Sequence, residues 1–305
     1  MPALLLLLCG CASIPGEVRS LPHNISTELD GTPFYPQELY QCGPAALTTT
    51  LVASGVDAKV DDIVEKVFLP GRKGSLQIEL VAAARQYDRL PYVIDGALAA
   101  VQAELEAGRP VLVLQNLGIA AAPRWHYAVV VGIDPERREV VLRSGTEPRR
   151  VTPLMTFLRT WRRGDYWGLV LLRPDELPAV VDRARYLSTI TSLEDTGRHV
   201  AAAEAWGTAA ARWPTDRVAL FGLANAEFGR GNLQAAEAAY RRLLDIDDGH
   251  VAARNNLAWT LAEQGRFEEA QLEIARAREL NADAALEEEL RDTEAQILRK
   301  SGMAR

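Results

Sequence analysis

The sequence predicts two folds in series: an α+β domain over residues 32–174 and an all-α superhelical array over residues 180–300. Three observations carry that expectation. Short β-branched or apolar runs at Val111–Leu114, Tyr127–Ile133, Glu139–Leu142 and Leu169–Leu172 follow a helix-rich stretch, an order that suits α+β rather than alternating βαβ units. From Val180 onward the strand signal stops and Ala, Glu, Arg and Leu dominate. Within that half, glycines recur at Gly197, Gly231 and Gly265, each 34 residues after the last. A length of 305 residues accommodates two domains of roughly 150 each.

At the amino terminus, Leu4 to Leu8 form an apolar run that ends in Leu8-Cys9-Gly10-Cys11. The run is far shorter than the roughly 20 apolar residues needed to span a bilayer. It resembles a bacterial lipoprotein signal, although Met1-Pro2-Ala3 lacks the usual Lys or Arg. The resemblance implies a signal peptide at residues 1–10, cleavage after Gly10, and a diacylglyceryl thioether on Cys11. Residues 11–31 then read as a lipidated tether, with Pro15, Gly16, Pro22 and Gly31 and no apolar periodicity. Ala12 after Cys11 resembles outer-membrane sorting, so the expected location is the cell envelope, as a periplasmic outer-membrane lipoprotein. Loss of Cys9 and acylation of Cys11 would leave Cys42 as the only thiol.

In the first domain, helices are expected over Ala45–Ala53, Val60–Val67, Ser75–Tyr87, Leu98–Glu106 and Pro153–Arg162. Pro174, Pro178 and the acidic pair Asp175-Glu176 mark the junction between the halves. Beyond it, each repeated glycine is followed by an alanine (Ala202, Ala236, Ala270) and then by a large side chain (Trp206, Tyr240, Ile274). The glycine permits a tight interhelical turn and the alanine lets two helices approach. This period is the signature of tetratricopeptide repeats, here about three with a capping helix bearing Leu286, Leu290 and Ile297. Thr189 and Arg254 stand at positions expected to be apolar. The resemblance implies a concave face carrying Phe221, Asn225, Asn255 and Trp259, which a protein partner or peptide would use. A purely structural or dimerising array fits the repeats as well.

Charge excludes some functions. Lys plus Arg total 34 against 41 Asp plus Glu, a net −7 that disfavours binding to nucleic-acid backbones. No CxxC or HxxxH cluster and no GxxxxGK[ST] loop occurs, so neither a metal nor an organic cofactor is expected.

The informative segment runs from Pro33 to Leu47 and contains Gln37-Glu38-Leu39-Tyr40-Gln41-Cys42-Gly43-Pro44. Pro44 suits the first turn of a helix, which sets Cys42 at the positive end of a helix dipole and favours thiolate. Gly43 would let a substrate carbonyl approach the backbone. The Gln37 amide, five residues upstream, could complete an oxyanion hole with a backbone N–H. A cysteine nucleophile needs a base. His23 lies in the tether, and His199 and His250 lie in the repeats, which leaves His126 at the opening of a strand.

QxxxxCGPAAL followed by HYAVVVG resembles the papain-like cysteine peptidases typified by bacteriocin leader-processing domains, which cut after double glycine. The resemblance implies Cys42 as nucleophile, His126 as base and Gln37 as oxyanion donor, with Gln41 the alternative donor. It also implies a peptide or protein substrate. The residue that should orient His126 departs from the family pattern. Asp134 lies eight residues along the strand, roughly 26 Å away. Folding the hairpin about Asp134–Arg138 brings residues 144–146 opposite His126, where Ser144 is the expected partner and Glu147 the alternative. The expected function is a membrane-anchored cysteine peptidase acting through a thioester, with repeats that recruit substrate or partner. A noncatalytic adaptor and a transglutaminase- or amidase-like acyl transferase are the alternatives.

Overall fold

The computed structural model describes residues 26–36, 41–281 and 283–302. Cys11, Gln37 and most of the expected tether lie outside the described residues. The chain divides into two compact units, Met1–Leu76 with Val93–Val170, and Gln77–Tyr92 with Leu171–Arg305.

The first unit is α+β, as its pattern of runs predicts. A short strand β1 (Thr27–Glu28) leads to helices α1 (Cys42–Ala53) and α2 (Val60–Val67). After the chain's excursion through α3 (Gln77–Arg85) and β2 (Leu90–Val93) come α4 (Leu98–Glu106), β3 (Val111–Asn116), β4 (Trp125–Asp134), β5 (Glu139–Ser144), β6 (Glu147–Pro153), α5 (Leu154–Arg162) and β7 (Gly168–Leu172). The strand order is β2–β7–β3–β4–β5–β6, with β1 paired to β4. The β3–β4, β3–β7, β4–β5, β5–β6 and β1–β4 pairings are all antiparallel. Helix α1 packs on β4, β3 and β5, so its residues from Gly43 to Leu51 are buried. Its Thr48 and Thr50 satisfy their hydroxyls on Pro44 O and Ala46 O, which lets a threonine run lie in the core.

The strand β6 is absent from the sequence expectation for a physical reason. Every residue of β6 except Thr152 is exposed, so no hydrophobic alternation marks it, and only its main-chain ladder to β5 makes it a strand. Asp134 closes β4 opposite Glu139, and its carboxylate accepts from Arg137 N at 2.9 Å, which caps the hairpin turn.

The second unit is helical from α6 (Arg183–Glu194) through α7 (His199–Arg212), α8 (Arg217–Gly229), α9 (Leu233–Ile246), α10 (Val251–Glu263), α11 (Phe267–Leu280) and α12 (Ala284–Lys300). Gly197, Gly231 and Gly265 adopt φ of 78°, 77° and 79°, so the 34-residue period repeats one backbone conformation at each turn. The small residues Ala202, Ala236 and Ala270 are fully buried, and so are the large side chains four residues after each, Trp206, Tyr240 and Ile274. Polar residues at apolar positions find partners. Thr189 bonds Arg185 O, and buried Arg254 reaches Glu273 at 2.6 Å and Asp248. Leu290 and Ile297 of α12 are buried and Leu286 half-buried. Gln77–Tyr92 packs with this unit. Tyr92 is fully buried, and its hydroxyl accepts from Asp182 N at 2.9 Å. No helix among the described residues is long and apolar enough to cross a membrane.

Candidate active site

Cys42 is the first residue of α1, with Gln41 as the N-cap. Pro44 in the first turn forfeits no helical bond, because N–H groups there have no intrahelical acceptor. The thiol takes hydrogen bonds from the main-chain N–H groups of Tyr127 and Gly43, but burial outweighs them and pushes its pKa up. The helix terminus therefore does not by itself create a resting thiolate, contrary to the expectation from Cys42's place on the helix. Gly43 has a different use from the one its sequence suggests. A Cβ there would meet Ser75 Oγ at 2.6 Å and Ser75 Cβ at 2.7 Å, so the space is filled by Ser75 rather than left for substrate. The Ser75 hydroxyl is buried without a hydrogen-bond partner. Its carbonyl accepts from Tyr127 Oη at 3.3 Å, so Tyr127 ties the Ser75 loop and the Cys42 thiol to the same strand.

His126 sits second in β4, opposite Gln115 of β3. Its Nε2 lies 2.8 Å from Ser144 Oγ at the end of β5. Ser144 is 2% exposed, so this hydroxyl is held away from water. The bond fixes the ring and leaves Nδ1 as the nitrogen that could serve the thiol. Cys42 and His126 are connected through the Tyr127 main chain, and no direct hydrogen bond joins them among the described residues. Catalytic hydrogen bonds often tighten only when substrate is bound. Burial, with Arg150 and Arg124 nearby, lowers the His126 pKa from 6.5 to about 4, so the ring is neutral near pH 7.

The other candidates separate clearly. Asp134 stands at the far end of β4 and serves the turn. Glu147 is exposed and faces Arg150 at 3.6 Å, not His126. Gln41 contributes its carbonyl to Ala45 N at 3.2 Å and makes no side-chain cap bond. Gln37 lies outside the described residues. Arg143, which belongs to no motif of the sequence, is 7% exposed and donates to Thr32 O, Asp30 O and Pro148 O. It anchors the segment that leads toward Cys42. Its signal was available only as an arginine inside an apolar strand.

In the helical unit, Asn225, Asn255 and Trp259 line a cavity of about 410 Å³ with Phe228, Tyr240, Asn256, Thr293 and Gln296. Phe221 is not part of that lining and packs on the rings of Tyr240 and His250. Asn225 Oδ1 accepts from Tyr240 Oη at 2.6 Å and from Asn256 Nδ2 at 3.0 Å.

Comparison with known proteins finds two kinds of domain. Residues 29–166 match the Peptidase_C39 like family, and residues 227–296 match the tetratricopeptide repeat family. Among solved structures, a candidate C39-like peptidase from Bacillus anthracis is 14% identical, covering 49% of this chain and 98% of its own, with a TM-score of 0.40. The peptidase domain of Streptococcus ComA, a bifunctional ABC transporter of a quorum-sensing pathway, is 18% identical over 46% of this chain and 98% of its own, with a TM-score of 0.38. The Yersinia enterocolitica type III secretion chaperone SycD, in complex with a peptide of the translocator YopD, is 18% identical over 38% of this chain and 92% of its own, with a TM-score of 0.36. No curated protein matches the sequence. The first match spans the strands and helices from β1 through α5, Gln77–Tyr92 included, and the second lies on the repeat helices, so the chain carries a C39-like peptidase domain at residues 29–166 and tetratricopeptide repeats at residues 227–296.

Proposed function

We propose that this protein is a cysteine peptidase of the bacterial cell envelope, held at the outer membrane by a lipid on Cys11, with repeats that recruit substrate or a partner. The observation that carries the reading is the bond between His126 Nε2 and Ser144, in a domain where Cys42 heads the helix packed on the same strand. In the mechanism, His126 Nδ1 takes the Cys42 proton as the sulfur attacks a peptide carbonyl. The tetrahedral oxyanion faces the first turn of α1, with Gln37 as the further donor that the sequence resemblance implies. His126 then gives its proton to the leaving amine as the C–N bond breaks, and water hydrolyses the thioester with His126 again as base. An amine in place of water would make the same site an acyl transferase. The helical cavity, with its amide-rich lining, suits a peptide or protein partner.

A noncatalytic adaptor is the second reading, favoured by the raised pKa of the half-buried Cys42 thiol and by the absence of a direct Cys42–His126 bond among the described residues. Covalent capture separates the two. A peptidyl chloromethyl ketone should alkylate Cys42 at least ~10²-fold faster than it alkylates N-acetylcysteine, and His126→Ala should remove most of that advantage. Capture no faster than for the free thiol, and unaffected by His126→Ala, would establish the adaptor.

A further inference from the structure

His126 lies among guanidinium groups that the chain holds in place without neutralising. Asn116 closes β3 opposite Trp125 and is itself buried. Its Oδ1 accepts from Arg124 N at 2.9 Å, and its carbonyl accepts from Arg163 Nε and Nη2 at 3.0 and 2.9 Å. A carbonyl orients Arg163 but leaves its full charge. Arg124 stands two residues before His126, the spacing that sets two side chains on one face of an extended strand.

A further guanidinium approaches from the other side of β4. His126, Ala128 and Val130 share one face of that strand. Val130 pairs with Leu142 and Leu142 pairs with Arg150, so Arg150 of β6 stands on the face that carries His126. Arg124 and Arg150 both bear on the imidazole closely enough to oppose its protonation.

These charges have little to cancel them. Among the described residues, neither Arg124 nor Arg163 pairs with a carboxylate. Arg150 faces Glu147 at 3.6 Å, but their side chains are 47% and 59% exposed, a pairing that water leaves weak. Asp134 and Glu139 lie at the opposite end of the β4–β5 hairpin. His126 is neutral near pH 7 and the Cys42 thiol has a raised pKa, so the reacting pair supplies no net negative charge. This local excess of cations runs against the net −7 of the whole chain. A cleft lined by one sign of charge concentrates ligands of the other sign, and guanidinium groups bind carboxylates through paired hydrogen bonds.

We infer that the Cys42–His126 site takes acidic peptides: Arg124 and Arg150 hold the carboxylate of an Asp or Glu within about two or three residues of the carbonyl presented to Cys42. The inference rests on the peptidase reading for the bond that is cut, but not for the charge that is selected. Arg163 acts behind Arg124 by adding positive potential from its fixed place on Asn116.

The test compares anionic and neutral alkylating reagents on the full chain, with modification of Cys42 read from its proteolytic peptide by mass spectrometry. Each rate ratio cancels any change in the thiolate fraction. At about 20 mM salt, the iodoacetate-to-iodoacetamide ratio should exceed that of N-acetylcysteine amide about 5-fold, and about 0.5 M NaCl should remove the excess. Iodoacetyl-Glu-Ala amide should likewise react about 5-fold faster than iodoacetyl-Gln-Ala amide. Arg124→Gln and Arg150→Gln should each lower both preferences about 2- to 3-fold, and Arg124→Glu should abolish them. Arg137→Gln, at the exposed turn beyond β4, should change neither. A wild-type chain without these preferences, or Arg124 and Arg150 variants that keep them in full, would overturn the inference. It also fails if the preferences emerge only in Glu38→Gln, because the arginines would then serve a carboxylate of the chain itself. A Glu preference that persists while peptidyl chloromethyl ketone capture ignores His126→Ala would support acidic-peptide binding and reject the peptidase reading alone.

Discussion

His126 and Ser144 stand on one face of the sheet because Val131 is bulged out of the ladder between β4 and β5. Asp134 pairs with Glu139 and Gly132 with Val141, but beyond the shift Val130 pairs with Leu142 and Val129 with Arg143. Continued without the shift, the first register would set Ser144 opposite Val129, with its side chain on the face away from His126. The shifted register instead sets Ser144 across from Ala128, diagonal to His126, where the 2.8 Å bond forms. The bulged residue is not idle, since Val131 O accepts from Leu29 N, just beyond β1.

That relationship predicts unequal effects at two residues. Ser144→Ala should slow covalent capture at Cys42 by about 3- to 10-fold through a misaligned imidazole, and Ser144→Asn should restore most of the rate. Asp134→Asn should leave the rate within about 2-fold, because its carboxylate serves the turn at the opposite end of β4. A crippling Asp134→Asn with a silent Ser144→Ala would reverse the assignment.

Stability should depend on pH through His126. Its pKa is about 4 in the folded chain against 6.5 when exposed, so the unfolded chain binds more protons between those values. The stabilisation is therefore complete above pH 6.5 and is lost as pH falls toward 4, by on the order of 3 kcal/mol. Urea midpoints measured across this window should slope downward toward acid, and His126→Gln should flatten the slope. An unchanged slope in that variant would place the titration elsewhere.

Gly43 and Ser75 should be coupled. Gly43→Ala puts a Cβ within 2.7 Å of Ser75 and should destabilise the chain by about 1–3 kcal/mol. Combining it with Ser75→Gly removes the clash, so the double variant should recover much of the loss in a thermodynamic cycle. Additive effects would mean that the two residues do not meet.

The helical unit offers a contrast between two glycines. Gly231→Ala should cost about 1–2 kcal/mol, because its φ of 77° is a conformation that alanine adopts with strain. Gly207 lies inside α7, and outside its own helical turn an added Cβ would meet nothing within 4 Å, so Gly207→Ala should stabilise by about 0.5–1 kcal/mol. Thermal denaturation of the two variants should move in opposite directions.

The sequence alone determined what local chemistry can state. Pro44 after Cys42-Gly43 announces a helix start, Trp125-His126 opens an apolar run, and three glycines in one spacing announce a repeated left-handed turn. Each of these is a constraint on one or a few neighbouring residues. Tertiary structure alone decided which side chains meet. Ser75 reaches Gly43 from another loop, Arg143 crosses to Asp30 and Thr32, and Gln77–Tyr92 joins the helical unit. The Val131 bulge left no trace in the sequence for a specific reason. Ala128 to Ile133 is buried on both faces of the sheet, so its side chains are apolar at every position and a slip of one residue alters no hydrophobic pattern. The parity that brings Ser144 to His126 was settled by pairing to β1 and β5, through main-chain bonds that no side-chain period records.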